Sequence, residues 1–406
     1  MNEKPVSIEE KRSPGKLVQP SLVLSRFAVQ PHGLLIGLLL VDIGLTFGVP
    51  VGVAGQIRTV SYVASVVFAL LMGVLSLRFR HKSLLLIGLL LLNISALSCA
   101  FASSFIMMVI FFSIWGIALA IVGPMGLTLV GEHFPREKRA SVIGWIFGGN
   151  ALAYVVGAPA IGFIAGVGGW RLAFLGFVVP IALFSFLLAI KGVPSSSSRQ
   201  SALGMRDYLA GFKGVFSSIS ADACLAGNAL SMASWAAILT YSASFLRQRF
   251  MVSTGFASIA VLVAALCFFS GSVVGGRIVK KLGRKTVTVL AAFFAGVFTF
   301  AFANYPDLWL SMILAFIGSF SAGLRVTASN SLTLEQVPEF RGTMMSISSA
   351  ADNAGSSLGA GIGGAALLLF NYEGMAISLG AMGIAAAIVF QLLATDPAKA
   401  DKPQDS

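Results

Sequence analysis

Charged residues are scarce in this sequence. Of its 406 residues, 11% are Asp, Glu, Lys or Arg, whereas soluble proteins contain about 25%. Hydrophobic residues make up 57% of the chain, more than the roughly 45–50% of a soluble domain. This balance excludes a soluble enzyme, a disordered scaffold and an ordinary nucleic-acid-binding protein. It indicates a polytopic protein that lies in a lipid bilayer.

Residues that carry soluble-enzyme or metal chemistry are also few. The three cysteines, Cys99, Cys224 and Cys267, are isolated in apolar segments and form no CxxC pair, so we expect neither a disulfide framework nor a metal site. The three histidines lie far apart, and no P-loop lysine motif is present, which argues against ATP as the energy source. We therefore expect no cofactor and no enzymatic activity.

Apolar segments of about 20 residues predict twelve membrane-spanning helices in an all-α fold. A polar, serine-containing stretch separates two groups of six, so we predict an N-terminal bundle at 20–191, a linker at 192–217 and a C-terminal bundle at 218–394, with tails at 1–19 and 395–406. The predicted spans are 20–41, 51–75, 83–102, 105–129, 140–165 and 171–191, then 218–245, 254–276, 286–304, 308–331, 342–369 and 374–394.

The basic residues predict the orientation. Clusters at 78–82 (RFRHK), 136–139 (REKR) and 280–285 (KKLGRK) fall on the same side of the predicted spans, and cytoplasmic loops carry an excess of Lys and Arg. Both tails are therefore expected in the cytoplasm, and we expect the protein to lie in the plasma membrane of a prokaryote. On this placement Arg58 lies near the outer end of the second span, where we expect it to pair with Asp42.

Three short matches indicate an internal repeat. GVLSLRFRHK (73–82) matches GRIVKKLGRK (276–285), EHFP (132–135) matches EQVP (335–338), and Asn150 matches Asn353. Each pair is separated by 203 residues. Such a common offset favours duplication, and two parallel repeats of this kind are typical of one class of secondary transporters.

These residues resemble the major facilitator superfamily. The loop after the second span has its signature of a glycine followed by a basic run, and GAPAIG (157–162) is similar to the motif of its exporters. The resemblance implies two six-helix bundles around a central cavity and is greatest for prokaryotic twelve-span efflux members. Departures from the signature are Leu77 and Lys280, which stand where an acidic residue is usual.

The resemblance also implies cytoplasmic ion pairs that hold one state closed, although plain positive-inside topology explains the same charges. Glycines and a proline in spans five and eleven are candidate bend points. The gate candidates are Gly73, Arg78, Arg80, Lys82, Glu132, Gly276, Lys281, Gly283, Arg284, Lys285 and Glu335, and the bend candidates are Gly157, Pro159, Gly162, Gly359 and Gly363.

Ionisable residues inside spans are the best candidates for a site, because they are costly in a membrane. Asp352 lies near the middle of span eleven and Arg325 in span ten. We interpret Asp352 as a protonatable coupling or substrate-binding group with Arg325 as its partner; the alternative is a static pair or a helix cap.

A second candidate cluster lies in the first span. If the span begins near residue 20, Arg26 faces the central cavity and favours an anionic or polar solute, with His32 as a further candidate. If the span begins at Gly33 instead, both are solvated. Asn150 and Asn353 either bind substrate or, as we favour, hydrogen-bond to neighbouring helices.

The sequence therefore predicts a monomeric secondary transporter that moves a small-molecule substrate by alternating access, most simply by export against inward proton flow. One alternative is uptake of a small organic anion, favoured if Arg26 and Arg325 face the cavity. Another is a sensor with a transporter fold, which the residues at Leu77 and Lys280 make conceivable.

Overall fold

The computed structural model describes residues 15–194 and 212–396. Helices dominate these residues, and no strand occurs among them, which confirms the all-α prediction. Most of the predicted linker at 192–217 and most of both predicted tails lie outside the described residues.

The N-terminal half is built from seven helices and a short π-helical turn. The first is continuous through Arg26 and His32, so these residues lie within a helix and not in a segment before it. The helices are α1 (Val18–Phe47), α2 (Val51–Ala54), α3 (Gln56–Arg78), α4 (His81–Ala100), α5 (Phe105–His133), α6 (Arg136–Ala173) and α7 (Val179–Gly192), with the π-helical turn at Phe174–Val178 before α7.

The C-terminal half has a corresponding order of helices, in which the single long α12 takes the place of α6 and α7. Its elements are α8 (Ile219–Arg249), α9 (Thr254–Leu282), α10 (Arg284–Asn304), α11 (Leu308–Leu334), a 3₁₀ turn (Pro338–Phe340) and α12 (Arg341–Leu393).

Ten helical stretches of the described chain are long and apolar enough to cross a membrane. Two of them, Glu137–Gly192 and Pro338–Leu393, contain 56 residues each, more than twice the ~20 that one crossing needs. Both are interrupted by backbone that is not helical, at Gly168 and Gly169 in the first and at Phe370 and Asn371 in the second.

The two interruptions occupy nearly equivalent positions of the repeat. Gly168 and Gly169 are each 202 residues from Phe370 and Asn371, respectively, one fewer than in the sequence matches, and Gly169 and Asn371 both have positive φ, 76° and 59°. Glycine and asparagine tolerate this conformation better than other residues do. Each interruption also falls between two spans that hydropathy separates, at 165/171 and at 369/374.

Small residues allow the helices of each half to pack closely. In the C-terminal half, a Cβ atom added to Gly355 or Gly359 of α12 would lie 2.0 Å from the backbone oxygen of Ala229 or Ala233 in α8. Only glycine fits at this distance, so α8 and α12 touch through their backbones, as small residues permit in membranes.

Candidate functional site

One face of α1 carries the residues from which the candidate site is built. Arg26, Gln30, Gly33 and Gly37 are spaced by three or four residues and therefore lie on the same side of the helix. The two glycines leave room for other helices: a Cβ at Gly33 would lie 2.9 Å from the Trp115 ring and 3.4 Å from Arg58 Nη2. This face of α1 thus accommodates a guanidinium group of α3.

Arg58 is buried between the two halves, with 3% of its surface exposed. Its Nη1 donates a hydrogen bond of 2.9 Å to Thr240 Oγ1 of α8, and its buried Nε has no hydrogen-bond partner. The predicted pair with Asp42 is wrong, because α3 begins at Gln56 and turns Arg58 inward, while Asp42 binds Arg247 instead.

Arg26 lies about two turns before Gly33 in α1, and its side chain points to α5 and α6. A Cβ atom at Gly123 would lie 2.8 Å from Arg26 Nη1, so the guanidinium rests on that glycine. The phenol of Tyr154 in α6 interacts electrostatically with both Arg26 and Arg58, and also with the phenol of Tyr62 in α3. Tyr154 therefore lies within electrostatic range of two arginines and a second tyrosine of the N-terminal half.

The predicted asparagines have different surroundings. Gln30 Nε2 donates a hydrogen bond to Asn150 Oδ1, which joins α1 to α6. Asn353 is half-buried in α12. The structure thus places Asn150 next to the Arg26 face of α1 and brings it into a contact between helices.

His32 does not join this cluster. It is fully buried, and the rings of Phe112, Phe174 and Trp115 surround its imidazole at centroid distances of 5.0, 5.2 and 6.1 Å. Its Nε2 lies 3.4 Å from Ser95 Oγ. Because His32 projects from the opposite side of α1, it packs inside the N-terminal half and contributes to its aromatic core.

Asp352 and Arg325 lie in the C-terminal half without a direct contact. No nitrogen of Arg325 comes within 4.0 Å of the Asp352 carboxylate, although the two charges interact at longer range. Arg325 Nη2 instead contacts Met232 Sδ at 3.3 Å, and the buried Oδ1 of Asp352 has no hydrogen-bond partner. The direct pair that the sequence suggested is therefore absent from this conformation.

Arg325 lines a small cavity within the C-terminal half. The cavity is also lined by Ser231, Ser234 and Trp235 of α8 and by Thr299 of α10. The helices around the cavity all belong to the C-terminal half, so Arg325 does not face the Arg26 and Arg58 region in this conformation.

The two halves touch at the end where α1 finishes and α3 begins, which we call the contact end. Arg247 Nη2 donates to Asp42 Oδ1 at 2.9 Å, and Ser357 Oγ donates to the Thr59 carbonyl at 3.0 Å. Close backbone contacts support these bonds. Further inter-half contacts at this end are Gly37 with Leu239, Gly52 with Gly364, Gly55 with Tyr241, Gln56 with Gly361, and Gly162 with Ser258.

The family model of the major facilitator superfamily matches this chain over residues 23–303 and again over residues 223–406. The chain belongs to the major facilitator superfamily. The resemblance found in the sequence is thereby confirmed, and membrane transport follows as the general function of its members.

Known members of the superfamily are similar to this protein over 63% or more of its chain. A probable 4-methylmuconolactone transporter of Cupriavidus pinatubonensis is 26% identical over 84% of this chain and 81% of its own. The purine ribonucleoside efflux pump NepI of Salmonella typhimurium is 25% identical over 63% of this chain and 62% of its own. A crystal structure of a D-xylose–proton symporter superposes with a TM-score of 0.76 at 17% identity, covering 94% and 98% of the two chains.

The signature loops of the superfamily lie at the end opposite the contact end. In the second half, Glu335 bonds to Arg341 at 2.7 Å and lies 4.0 Å from Arg284. In the first half, Glu132 bonds to His81, and Lys82 Nζ donates to the Ile190 carbonyl at 3.1 Å. These pairs each join helices of one half.

The remaining gate candidates lie in α3, α9 and α10 or in the loops next to them. Gly283 has a φ of 88° and separates α9 from α10, a conformation that favours glycine. Arg78, Arg80 and Lys281 are exposed, Lys285 is half-buried, Gly73 lies in α3 and Gly276 lies in α9. Their gating role stays a prediction.

The bend candidates keep helical dihedral angles in this conformation, so bending there also stays a prediction. Gly162 packs against Ser258, Gly157 against Leu34, and Gly363 against Tyr241. Pro159 lies inside α6, and Gly359 meets α8 as described above. These positions bring helices together, while the non-helical backbone of α6 and α12 lies nearer the contact end.

Proposed function

We propose that this protein is a proton-coupled secondary transporter that exports a small solute by alternating access. In this proposal α6 with α7, and the two parts of α12, each cross the membrane twice, which makes twelve spans. Both chain ends lie in the cytoplasm, as the basic loops favour, and the protein acts as a monomer in the plasma membrane of a prokaryote.

The position of the inter-half contacts carries the proposal. With both chain ends in the cytoplasm, the contact end faces outward, and the structure corresponds to an inward-facing state. Alternating access then requires Asp42–Arg247 and the glycine contacts to separate while the signature loops approach each other. The polar pairs across the contact end suit such a reversible closure, because each stabilises the closed contact by only about 1 kcal/mol.

Asp352 is the group through which we propose that protons act. It is half-buried, and its Oδ1 has no hydrogen-bond partner, so loss or gain of a proton changes an unbalanced charge inside the protein. Five residues further along α12, Ser357 binds Thr59 of α3. Asp352 therefore lies on a helix that forms the contact between the halves, where its protonation can favour one state over the other.

Export is supported by the likeness to a purine ribonucleoside efflux pump, whose sequence aligns with 63% of this chain. The test is made with purified protein in liposomes that contain a pH-sensitive dye. A panel of nucleosides, sugars, amino acids and aromatic acids is added on one side, with and without an imposed pH gradient. Proton movement that depends on one class of solute supports the proposal.

Asp352→Asn and Asp307→Asn form a matched pair for this test. Each removes one carboxylate, but Asp307 caps α11 at its first turn, and asparagine caps almost equally well. Asp352→Asn is expected to abolish the solute-dependent proton signal, while Asp307→Asn preserves it. Solute movement without any proton signal in the unmodified protein would contradict proton coupling.

Uptake of a small organic anion is the second candidate function. An anionic solute is favoured by the presence of Arg26 and Arg58 on one side of the interior, with no acidic residue within 4.0 Å of either in the described parts of the chain; the direction of its movement is what the assay decides. In the liposome assay, accumulation of an aromatic acid driven by an inward proton gradient would decide for uptake.

A further inference from the structure

We propose that Arg26, Arg58, Tyr62 and Tyr154 form a binding site for a small organic carboxylate. This inference rests on the proposed transport function and names the class of solute, whichever direction the solute moves. It adds Arg58 and the two tyrosines, which neither the repeat nor the sequence motifs single out.

The first argument is geometric. Arg26 projects from α1 over Gly123, and Arg58 projects from α3 over Gly33, so each guanidinium lies against a glycine that leaves space for it. Tyr154 interacts with both groups. The two cations thus project from α1 and α3 into spaces left by glycines, and the Tyr154 phenol of α6 lies within electrostatic range of both.

The second argument is the balance of charge. Neither arginine has a carboxylate within 4.0 Å among residues 15–194 and 212–396. Arg58 is buried and Arg26 is half-buried, and a cation without an anionic partner is costly inside a membrane protein. A bound anion would compensate both charges, so the occupied site would be more stable than the empty one.

The third argument is unsatisfied hydrogen-bonding capacity. Arg58 uses Nη1 for Thr240, but its Nε is buried and has no partner. An arginine offers five donors in a planar fork that matches the two oxygens of a carboxylate. The Tyr154 hydroxyl, within electrostatic range of both arginines, is a further donor that a carboxylate can use.

The surrounding side chains favour an organic acid over a mineral anion. The Trp115 ring lies beside Gly33 and Arg58, and the Tyr62 ring meets Trp115 at a centroid distance of 5.8 Å. These rings give the site an apolar wall next to its cations. An acid with a small apolar or aromatic body would use both features, whereas phosphate would use only the cations.

The test measures binding in the absence of any pH gradient. Purified full-length protein in nanodiscs is titrated with benzoate, with benzyl alcohol as its neutral counterpart and with inorganic phosphate. Tryptophan fluorescence reports occupancy, because Trp115 adjoins the site, and calorimetry confirms the affinity. We expect saturable binding of benzoate, at least tenfold weaker binding of phosphate and no saturable binding of benzyl alcohol.

Arginine variants connect binding to the site. Arg26→Gln and Arg58→Gln are each expected to weaken benzoate binding at least tenfold, and Arg26→Lys to recover part of the loss. Arg249→Gln is the control, because it removes the same charge from an exposed position of α8. Tyr154→Phe keeps the size of the side chain, so it tests the hydroxyl even if a glutamine variant does not fold.

Equal binding of benzoate by the folded glutamine variants and the unmodified protein would overturn the proposal, as would tighter binding of phosphate or benzyl alcohol. Failure of transport is a separate outcome. If benzoate binds at this site but no solute-dependent proton signal appears in liposomes, the site stands and proton-coupled transport does not. If purine nucleosides give a proton signal but benzoate does not bind, proton-coupled transport stands and the carboxylate site does not.

Discussion

Arg247 at the end of α8 holds the carboxylate of Asp42 in α1 with two hydrogen bonds, of 2.5 and 2.9 Å. The two residues are 205 positions apart in the chain and belong to different halves. Because Arg–carboxylate pairs with two bonds are geometrically specific, this pair fixes how the halves meet at the contact end.

Asp42→Asn is expected to shift the protein away from the conformation described here. The pair is partly exposed, with 14% and 32% of the two side chains accessible, so its contribution is about 1 kcal/mol, which changes a two-state ratio roughly fivefold. A cysteine placed at Thr59, inside the same contact, reports the change. A membrane-impermeant maleimide applied from outside should modify it several-fold faster in the variant.

Two controls accompany this measurement. Asp307→Asn removes a carboxylate at the start of α11 and should leave the labelling rate unchanged. The exchanged double variant, Asp42→Arg with Arg247→Asp, should restore slow labelling at least in part. If Asp42→Asn labels at the unmodified rate, the pair does not stabilise the closed contact.

Gly37→Ala tests the backbone contact next to this pair. A Cβ atom at Gly37 would lie 2.5 Å from the carbonyl oxygen of Leu239, too close for both halves to keep their positions. We expect faster labelling of the Thr59 cysteine and slower transport, because the contact end closes less completely. Gly126→Ala is the matched control, since a Cβ there meets no atom within 4 Å; similar effects of the two variants would contradict this explanation.

Local features of the fold could be predicted from the sequence because they depend on nearby residues. Hydropathy separates two spans at 165/171 and at 369/374, and the structure breaks its long helices at Gly169 and Asn371. The length that the bilayer allows for one span is sufficient to predict both breaks.

Contacts between distant parts of the chain could not be predicted in the same way. Arg58 binds Thr240, 182 residues away, and no periodicity relates the two positions. A signal for Arg58 was nevertheless present, since the apolar run from 51 to 75 includes it and an arginine inside a span is costly. The expected pair with Asp42 at the outer end of the span did not take that cost into account.

His32 illustrates a different limit. It follows Gln30 by two residues, and such neighbours point to different sides of a helix, but hydropathy cannot tell which side faces the partner half. We expect His32→Ala to destabilise the protein by about 2–4 kcal/mol, as loss of a large buried side chain does. Thermal unfolding in detergent should show a clear decrease in Tm, with a smaller one for His133→Ala at the half-buried end of α5.

Another variant of His32 distinguishes a packing role from a role in proton coupling. Since aromatic rings enclose the imidazole of His32, His32→Phe should keep solute-dependent proton movement in liposomes. Complete loss of that signal in a variant that folds normally would give His32 a role in proton transfer.

A double-mutant cycle can decide whether Asp352 and Arg325 act as a pair. In the described conformation their charges are more than 4.0 Å apart, and Arg325 lines a cavity with Ser231 and Thr299. The effects of Asp352→Asn and Arg325→Gln on thermal stability should therefore add with a coupling below about 1 kcal/mol, whereas removing one member of a direct buried pair costs about 3–5 kcal/mol. The cycle of Asp42→Asn and Arg247→Gln, measured in parallel, should show the non-additivity of a direct contact. If the Asp352–Arg325 coupling is the larger of the two, these residues are in contact in a conformation that the protein populates in solution, and Arg325 then belongs with Asp352 in the coupling mechanism.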